Sequence, residues 1–257
     1  MTTRLWRSGI ALALTIAAAG AAAIAWAQSD SLAVGAFSAL RAGGALPDSW
    51  RPLGVSNTLP PTRYTLVNDA GATVVRADAV ASVSALSRTL RVDLDQYPVL
   101  RWRWKVANIL KNSDIHSKAG DDYPARVYVM FDYPLEKLPF VERTKLRLAR
   151  TLHDPNLPAA TLCYVWDSKA PAGAIVPSSY TNLMRMVVVE SGAARVNQWR
   201  AVERDVAADF RAAFGEAAGS SVPAVTAVAI ATDTDNTGES ALAFFGDISF
   251  YKQKLTR

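Results

Sequence analysis

The chain has 257 residues, half of them hydrophobic, with 28 lysines and arginines against 23 acids, two histidines and one cysteine. That length and apolar content can build one sizeable core. A formal charge of +5 spread along the chain is not the clustered basic footprint of a nucleic-acid binder, and the single Cys163 rules out an internal disulfide framework.

Residues 1–27 read as a signal peptide. Arg4 and Arg7 give a positive start, Ile10 to Ile24 is apolar, and Ala25-Trp26-Ala27 supplies the small-x-small cleavage pattern. The apolar run falls short of the roughly 20 residues that span a bilayer, which disfavours the alternative of a retained anchor. The two arginines are not adjacent, as a twin-arginine signal requires. Removing this leader leaves 26 basic residues against 23 acidic and a charge of +3. The expectation is a periplasmic protein without a membrane span, residues 28–257 forming a single domain.

From Asp30 to Trp50 an opening segment carries Val34, Phe37 and Leu40 and loosens at Gly43-Gly44. Tyr64 and Leu66 alternate with Arg63 and Thr65, and Asn68-Asp69-Ala70-Gly71 reads as a hairpin turn. Ala72 to Val83 and Leu90 to Leu94 are further strands. Leu100, Trp102, Trp104 and Val106 then alternate with Arg101, Arg103 and Lys105, and Val127, Val129 and Phe131 alternate with Arg126, Tyr128 and Met130. Strict period-two alternation marks half-buried strands, so the tryptophans are expected inside and the cations outside. The polar loop between them, Lys111 to Asp122, carries Asp114, His116, Asp121 and Asp122.

After Asp132 the period changes. Leu135 to Leu152 predicts a basic amphipathic helix with Pro139 in its first turn, packed across one end of the fold with its charged face solvated. Anionic membranes or a partner are the other readings of such a face. His153-Asp154-Pro155-Asn156 ends the helix as a turn. Leu162, Tyr164 and Trp166 then alternate with Cys163 and Val165, and Met184 to Glu190 is a buried strand. A segment opening at Trp199, with Val202, Val206, Phe210 and Phe214 and closed by Gly215, predicts a second helix. Ala224 to Thr232, Leu242 to Phe245 and Ile248 to Phe250 complete the strands. About ten strands and two short helices predict a mainly β fold, a two-layer antiparallel jelly-roll-like sandwich. A parallel α/β domain would need more helical connections.

Taken together, Leu100 to Val106, Gly120 to Val129, Trp199 with Glu203 to Val206 and Asp209-Phe210, Asp233 to Gly238 and Gly246-Asp247-Ile248 resemble a bacterial secreted family, domain of unknown function 3047. The resemblance covers roughly Val34 to Tyr251 and implies no reaction and no catalytic residues. The closing strands look like those of carbohydrate-binding jelly rolls.

Three groups of residues are candidates for function. Arg101, Arg103, Lys105 and Arg126, with Tyr128 beside them, would share one face if their strands were neighbours, and arginine's fork suits carboxylate or sulfate groups. A solvated outer face, or internal pairing with acids on other strands such as Asp93 and Asp167, is the alternative. Asp121 and Asp122, with His116, are the acid/base candidates. The other possibility is that one aspartate caps the loop and the other pairs with Arg126 or Arg103. Asp233 and Asp235, with Asp247 or Glu239 added, offer oxygens for a structural calcium. Thr237 and Phe244 exclude an EF-hand, and a self-bonded Asx turn is the simpler reading. Cys163 is expected as a buried, inert thiol.

These features point to a periplasmic binding module for an acidic glycan or envelope-derived ligand. A glycan hydrolase or lyase using Asp121 or Asp122 is the alternative, and an assembly factor working through the basic helix is the third.

Overall fold

The structure, a computed structural model, describes residues 30–54, 57–152, 157–215 and 222–252. The expected signal peptide and the turn at 153–156 lie outside them. Two sheets face each other. The first runs β11 (Arg200–Asp205), β6 (Val99–Val106), β13 (Ser240–Tyr251), β4 (Ala72–Val80) and β3 (Arg63–Asp69), with β1 (Ser31–Gly35) also paired to β13. The second runs β2 (Arg51–Leu53), β5 (Ala85–Val92), β12 (Val225–Ala231), β7 (Ala125–Phe131), β8 (Ala160–Asp167), β10 (Met184–Ser191) and β9 (Ile175–Pro177). This is the expected mainly β sandwich, with one departure: β8 and β10 pair in parallel, because the chain between them first forms β9 at the sheet edge.

The core lies between the sheets and follows the alternation in the sequence. Trp102 and Trp104 of β6 point inward, 3% and 0% exposed. Trp102 meets Tyr164 across the gap at 5.2 Å between ring centroids, and Trp104 meets Trp166 at 6.2 Å. Both contacts fall within the range where aromatic pairs add to simple area burial. The β3–β4 hairpin turns at Ala70 and Gly71, both at positive φ (53° and 81°), as a two-residue hairpin turn requires.

Two elements differ from the sequence reading. The segment opening at Trp199 is strand β11 before it is a helix; α2 (Val206–Phe214) starts one residue after β11 ends, where Asp205 accepts from the Ala208 amide and caps it. The basic segment is a short 3-10 turn (Leu135–Lys137) followed by α1 (Phe140–Leu152). Pro139 stands just before α1, where its missing N–H costs nothing.

The largest correction concerns β6 and β7. They belong to different sheets, so Arg126 and Tyr128 do not share a face with Arg101, Arg103 and Lys105. The chain between them, residues 107–124, is long enough to cross from one sheet to the other. It then folds back over the outside of the second sheet, held where Asp114 N donates to Gly120 O at 2.8 Å. Only glycine fits at that crossing, since a Cβ on Gly120 would lie 2.5 Å from Asp114 N.

Candidate functional site

The outward face of the second sheet is organised by strand register into cross-strand rows. One row reads Ser87, Ala229, Tyr128, Cys163, Met186, and the next Thr89, Ala227, Met130, Thr161, Met184. A solvated outer face would alternate polar residues here. This one is largely apolar, and half of it is covered. Ile115 and Tyr123 of the crossing loop, with Ala170, Ala174 and Val176, pack over Cys163, Val165, Met186 and Val188. Cys163 is fully buried, which pushes its thiol well above the usual range, as expected of an inert cysteine.

The uncovered half is hollow. A cavity of about 560 Å³ is lined by Tyr128, Met130, Thr161, Met184, Leu146 of α1 and Tyr180. A second of about 180 Å³, reaching Ser84, Ala231 and Asp233, shares Tyr128 and Met130 with it. A third of about 850 Å³, floored by Ser87, Thr89 and Ala227, also meets Met130. Alanines along β12 leave the space, and the half-buried Tyr128 and Met130 stand at its centre.

One end of this groove is closed by a buried charge cluster. Arg126 is 2% exposed and lies over the Tyr123 ring, 4.3 Å from its centroid. It donates to Asp233 at 2.9 Å (Nε) and 2.5 Å (NH2) and to the Asp121 carbonyl, and its NH1 is 3.9 Å from the Asp121 carboxylate. Asp122 is fully buried and serves the backbone. Its oxygens accept from Asn236 N at 3.3 Å, Asn236 Nδ2 at 3.1 Å and Thr237 N at 2.7 Å, and so pin the 233–238 loop to the strand entrance. Tyr180 joins that loop to the groove wall by donating to Asn236 Oδ1 at 2.7 Å. Two carboxylates, Asp233 and Asp121, therefore hold the one guanidinium, and Asp122 and Asp235 gather beside Asp233. Burial pushes the Asp233 carboxyl up to about 7, with Arg126 opposing and Asp122 adding to the rise. Burial likewise raises Asp121 and Asp235.

This arrangement carries a pH dependence. The folded state holds the Asp233 proton more tightly than the unfolded chain does. The associated stability is full below the unfolded value near 3.8 and is lost as pH rises through about 7. Asp233→Asn should flatten the stability profile over that window, measured by denaturant unfolding from pH 4 to 8; an unchanged profile would mean Asp233 is ionised throughout.

The metal candidates regroup. Oxygens of Asp122, Asp233 and Asp235 lie within 4.8 Å of one another. Asp247 is not among them: it accepts from Ser38 N at 2.8 Å and from Ser38 Oγ at 2.5 Å at the bulge of β13. Glu239 instead caps the Lys111 and Asn112 amides at 3.0 and 2.8 Å. Three carboxylates suit a hard cation such as calcium, which seeks six to eight oxygens, but protein donors already occupy the oxygens of Asp122 and Asp233. His116 is exposed on the crossing loop, its amide bonded to Asp114 Oδ1 at 3.0 Å, and the turn it sits in is self-contained.

The cations of β6 find partners inside the protein. Arg101 pairs with Glu203 at 2.7 Å and lies over Tyr251, 4.0 Å from its centroid. Lys105 pairs with Asp69 at 2.5 Å, and Arg103 lies over Trp199 at 4.6 Å. The partners are Glu203 and Asp69 rather than Asp93 and Asp167: register sets Glu203 of β11 directly opposite Arg101, and Asp69 reaches Lys105 from the end of the β3–β4 hairpin. Sequence reasoning missed Asp233 as the partner of Arg126, Tyr123 beneath it, and Met130 and Met184 in the groove. The first two depend on long-range loop placement; only the outward alternation of Met130 was readable.

A family model for proteins of unknown function (DUF3047) matches residues 48–249, most of the chain. No curated protein matches it. Among solved structures, the chain is similar to the glycoside hydrolase domain of Spr0440, an Endo-D from Streptococcus pneumoniae R6. That likeness has 11% identity and a TM-score of 0.33, and covers 80% of this chain and 22% of that one; this chain thus spans about a fifth of that protein. It is also similar to a family 12 xyloglucanase from Bacillus licheniformis in complex with ligand, at 8% identity and a TM-score of 0.43, covering 87% of this chain and 99% of that one. At these scores neither likeness bears on ligand or chemistry.

Proposed function

We propose that this chain, which belongs to the DUF3047 family of proteins of unknown function, is an exported, periplasmic binding module that lays a glycan or other envelope-derived ligand across the outward face of its second sheet. The observation that carries the reading is the groove itself. An apolar outer sheet face with alanines in its floor, a central tyrosine, a polar rim at Ser178–Asn182 and the hydroxyls of Ser87 and Thr89 in the floor has the makeup of a small-molecule site, mostly apolar with a few placed polar groups. Export rests on the leader pattern of residues 1–27. The ligand is better taken as neutral and polyhydroxylated than as acidic. Arg101 and Lys105 are paired with Glu203 and Asp69 in the other sheet, and Arg126, the arginine at the groove end, is already held by Asp233 and Asp121.

Tyr128→Ala should weaken oligosaccharide binding by about 2 kcal/mol, the scale of a central aromatic anchor, while the protein stays folded at the titration temperature. Some loss of melting temperature is expected, because Tyr128 is half-buried and packs against the cluster of Cys163 and Met186. Calorimetric titration of wild type and variant against a panel of neutral, amino and uronic oligosaccharides measures this. Equal affinities would place the ligand elsewhere.

One observation favours hydrolase or lyase activity as a second reading. Asp233 lines the cavity beside Tyr128 and keeps its proton towards neutral pH, as a general acid must. Product release from a polysaccharide that is lost in Asp233→Asn supports that reading, and binding without turnover supports the module.

A further inference from the structure

Helix α1 turns an unusual face to solvent. Surface helices normally show charged residues outward and bury the apolar stripe. At 3.6 residues per turn, Phe140, Val141, Thr144, Leu148 and Thr151 form one outward arc, bordered by Arg147 on one side and Lys145 on the other. Phe140 is 72%, Val141 57% and Leu148 59% exposed. The two threonines hide their polarity. Thr144 Oγ1 donates to the Phe140 carbonyl and Thr151 Oγ1 to the Arg147 carbonyl, both at 2.9 Å, so their methyl groups are left facing out. The opposite face anchors the helix: Leu146 is buried, and Arg150 donates to the Leu157 carbonyl at 2.8 Å (Nε) and 2.6 Å (NH2).

The charge around this stripe has one sign. Arg143, Lys145, Arg147 and Arg150 stand against the single Glu142, which lies 3.5 Å from Lys145, and Lys137 precedes the helix. A shallow apolar stripe bordered by cations along a helix is the form of a segment lying in the plane of a membrane interface.

We propose that α1 docks this protein onto an anionic lipid surface. Phe140, Val141 and Leu148 enter the headgroup–acyl boundary, and Lys137, Lys145 and Arg147 meet the lipid phosphates. A second copy is a poorer occupant, because pairing α1 with α1 would bring two basic helices together. An acidic protein would satisfy the charges, but a stripe bordered by cations on both sides matches a plane of negative charge more closely.

The test is co-sedimentation of the purified protein with vesicles of phosphatidylcholine alone or with one third phosphatidylglycerol, at low and high salt. Binding is expected only to the anionic vesicles, and less of it at high salt. Replacing Lys145 and Arg147 together by Gln should lower the partition coefficient about 25-fold, at about fivefold per charge near the surface. The pair Phe140→Ser and Leu148→Ser should lower it at least about tenfold, with melting curves unchanged for both variants. Equal binding to both vesicle types, no binding to either, or variants that bind like wild type would overturn the proposal. So would a dimer in sedimentation velocity that the serine variant dissolves, or capture of an acidic protein with no vesicle binding.

Discussion

Arg126→Met is expected to destabilise the protein by about 3–5 kcal/mol at pH 8, the cost of removing one partner from a buried ion pair. The side chain fits the space, but Asp233 and Asp121 then lie buried without their guanidinium, and the Asp121 carbonyl loses a donor. The loss should shrink as pH falls to 7 and below, because Asp233, raised by burial to about 7 even beside Arg126, takes up a proton there and no longer needs a counter-charge. Adding Asp233→Asn should recover part of the loss, because removing both charges is far less costly than stranding one. Denaturant unfolding of the two single variants and the double variant measures the coupling. A loss below about 1 kcal/mol for Arg126→Met would mean that water reaches the cluster, contrary to its burial.

Trp104→Ala should cost about 3–5 kcal/mol, the usual price of an indole removed from a close-packed core. Trp104 is fully buried, meets Trp102 edge-on at 5.4 Å between ring centroids, and bridges the sheets to Trp166. Trp104→Phe should cost much less. Both variants delete an indole N–H that has no hydrogen-bond partner, so neither strands a polar group, and phenylalanine keeps most of the ring volume that alanine leaves as a cavity. Thermal and denaturant unfolding of both variants would show the difference. Equal losses would mean that the retained ring volume contributes nothing and that the core is not close-packed around Trp104.

Much of the fold was legible because alternation is local. Leu100 to Val106 has its tryptophans inside and its cations half-exposed on the other side, as period two dictates, and Ala70-Gly71 turns where its sequence predicts. What alternation cannot convey is which strand lies beside which. Arg126, Tyr128 and Met130 point outward from β7 as their spacing requires, yet Arg126 is buried, because a loop from the far side of the sandwich folds over it. The same distance in sequence separates Asp122 from Asp233 and Asp235, so an acidic loop read alone drew in Asp247, its near neighbour in the chain, and not Asp122. The helix was legible as basic and amphipathic. Its orientation was not, since only packing decides which face a helix with two apolar arcs will bury.

The groove on the second sheet can be probed directly through its methionines. The chain has four: Met1 lies in the expected leader, Met130 and Met184 line the groove, and Met186 is fully buried beneath the crossing loop. With the methionine methyl groups carbon-13 labelled, titration with an oligosaccharide that binds by calorimetry should shift the Met130 and Met184 resonances along a saturating curve and leave Met186 in place. Saturable binding with Met130 and Met184 both unmoved would contradict the groove as the ligand site.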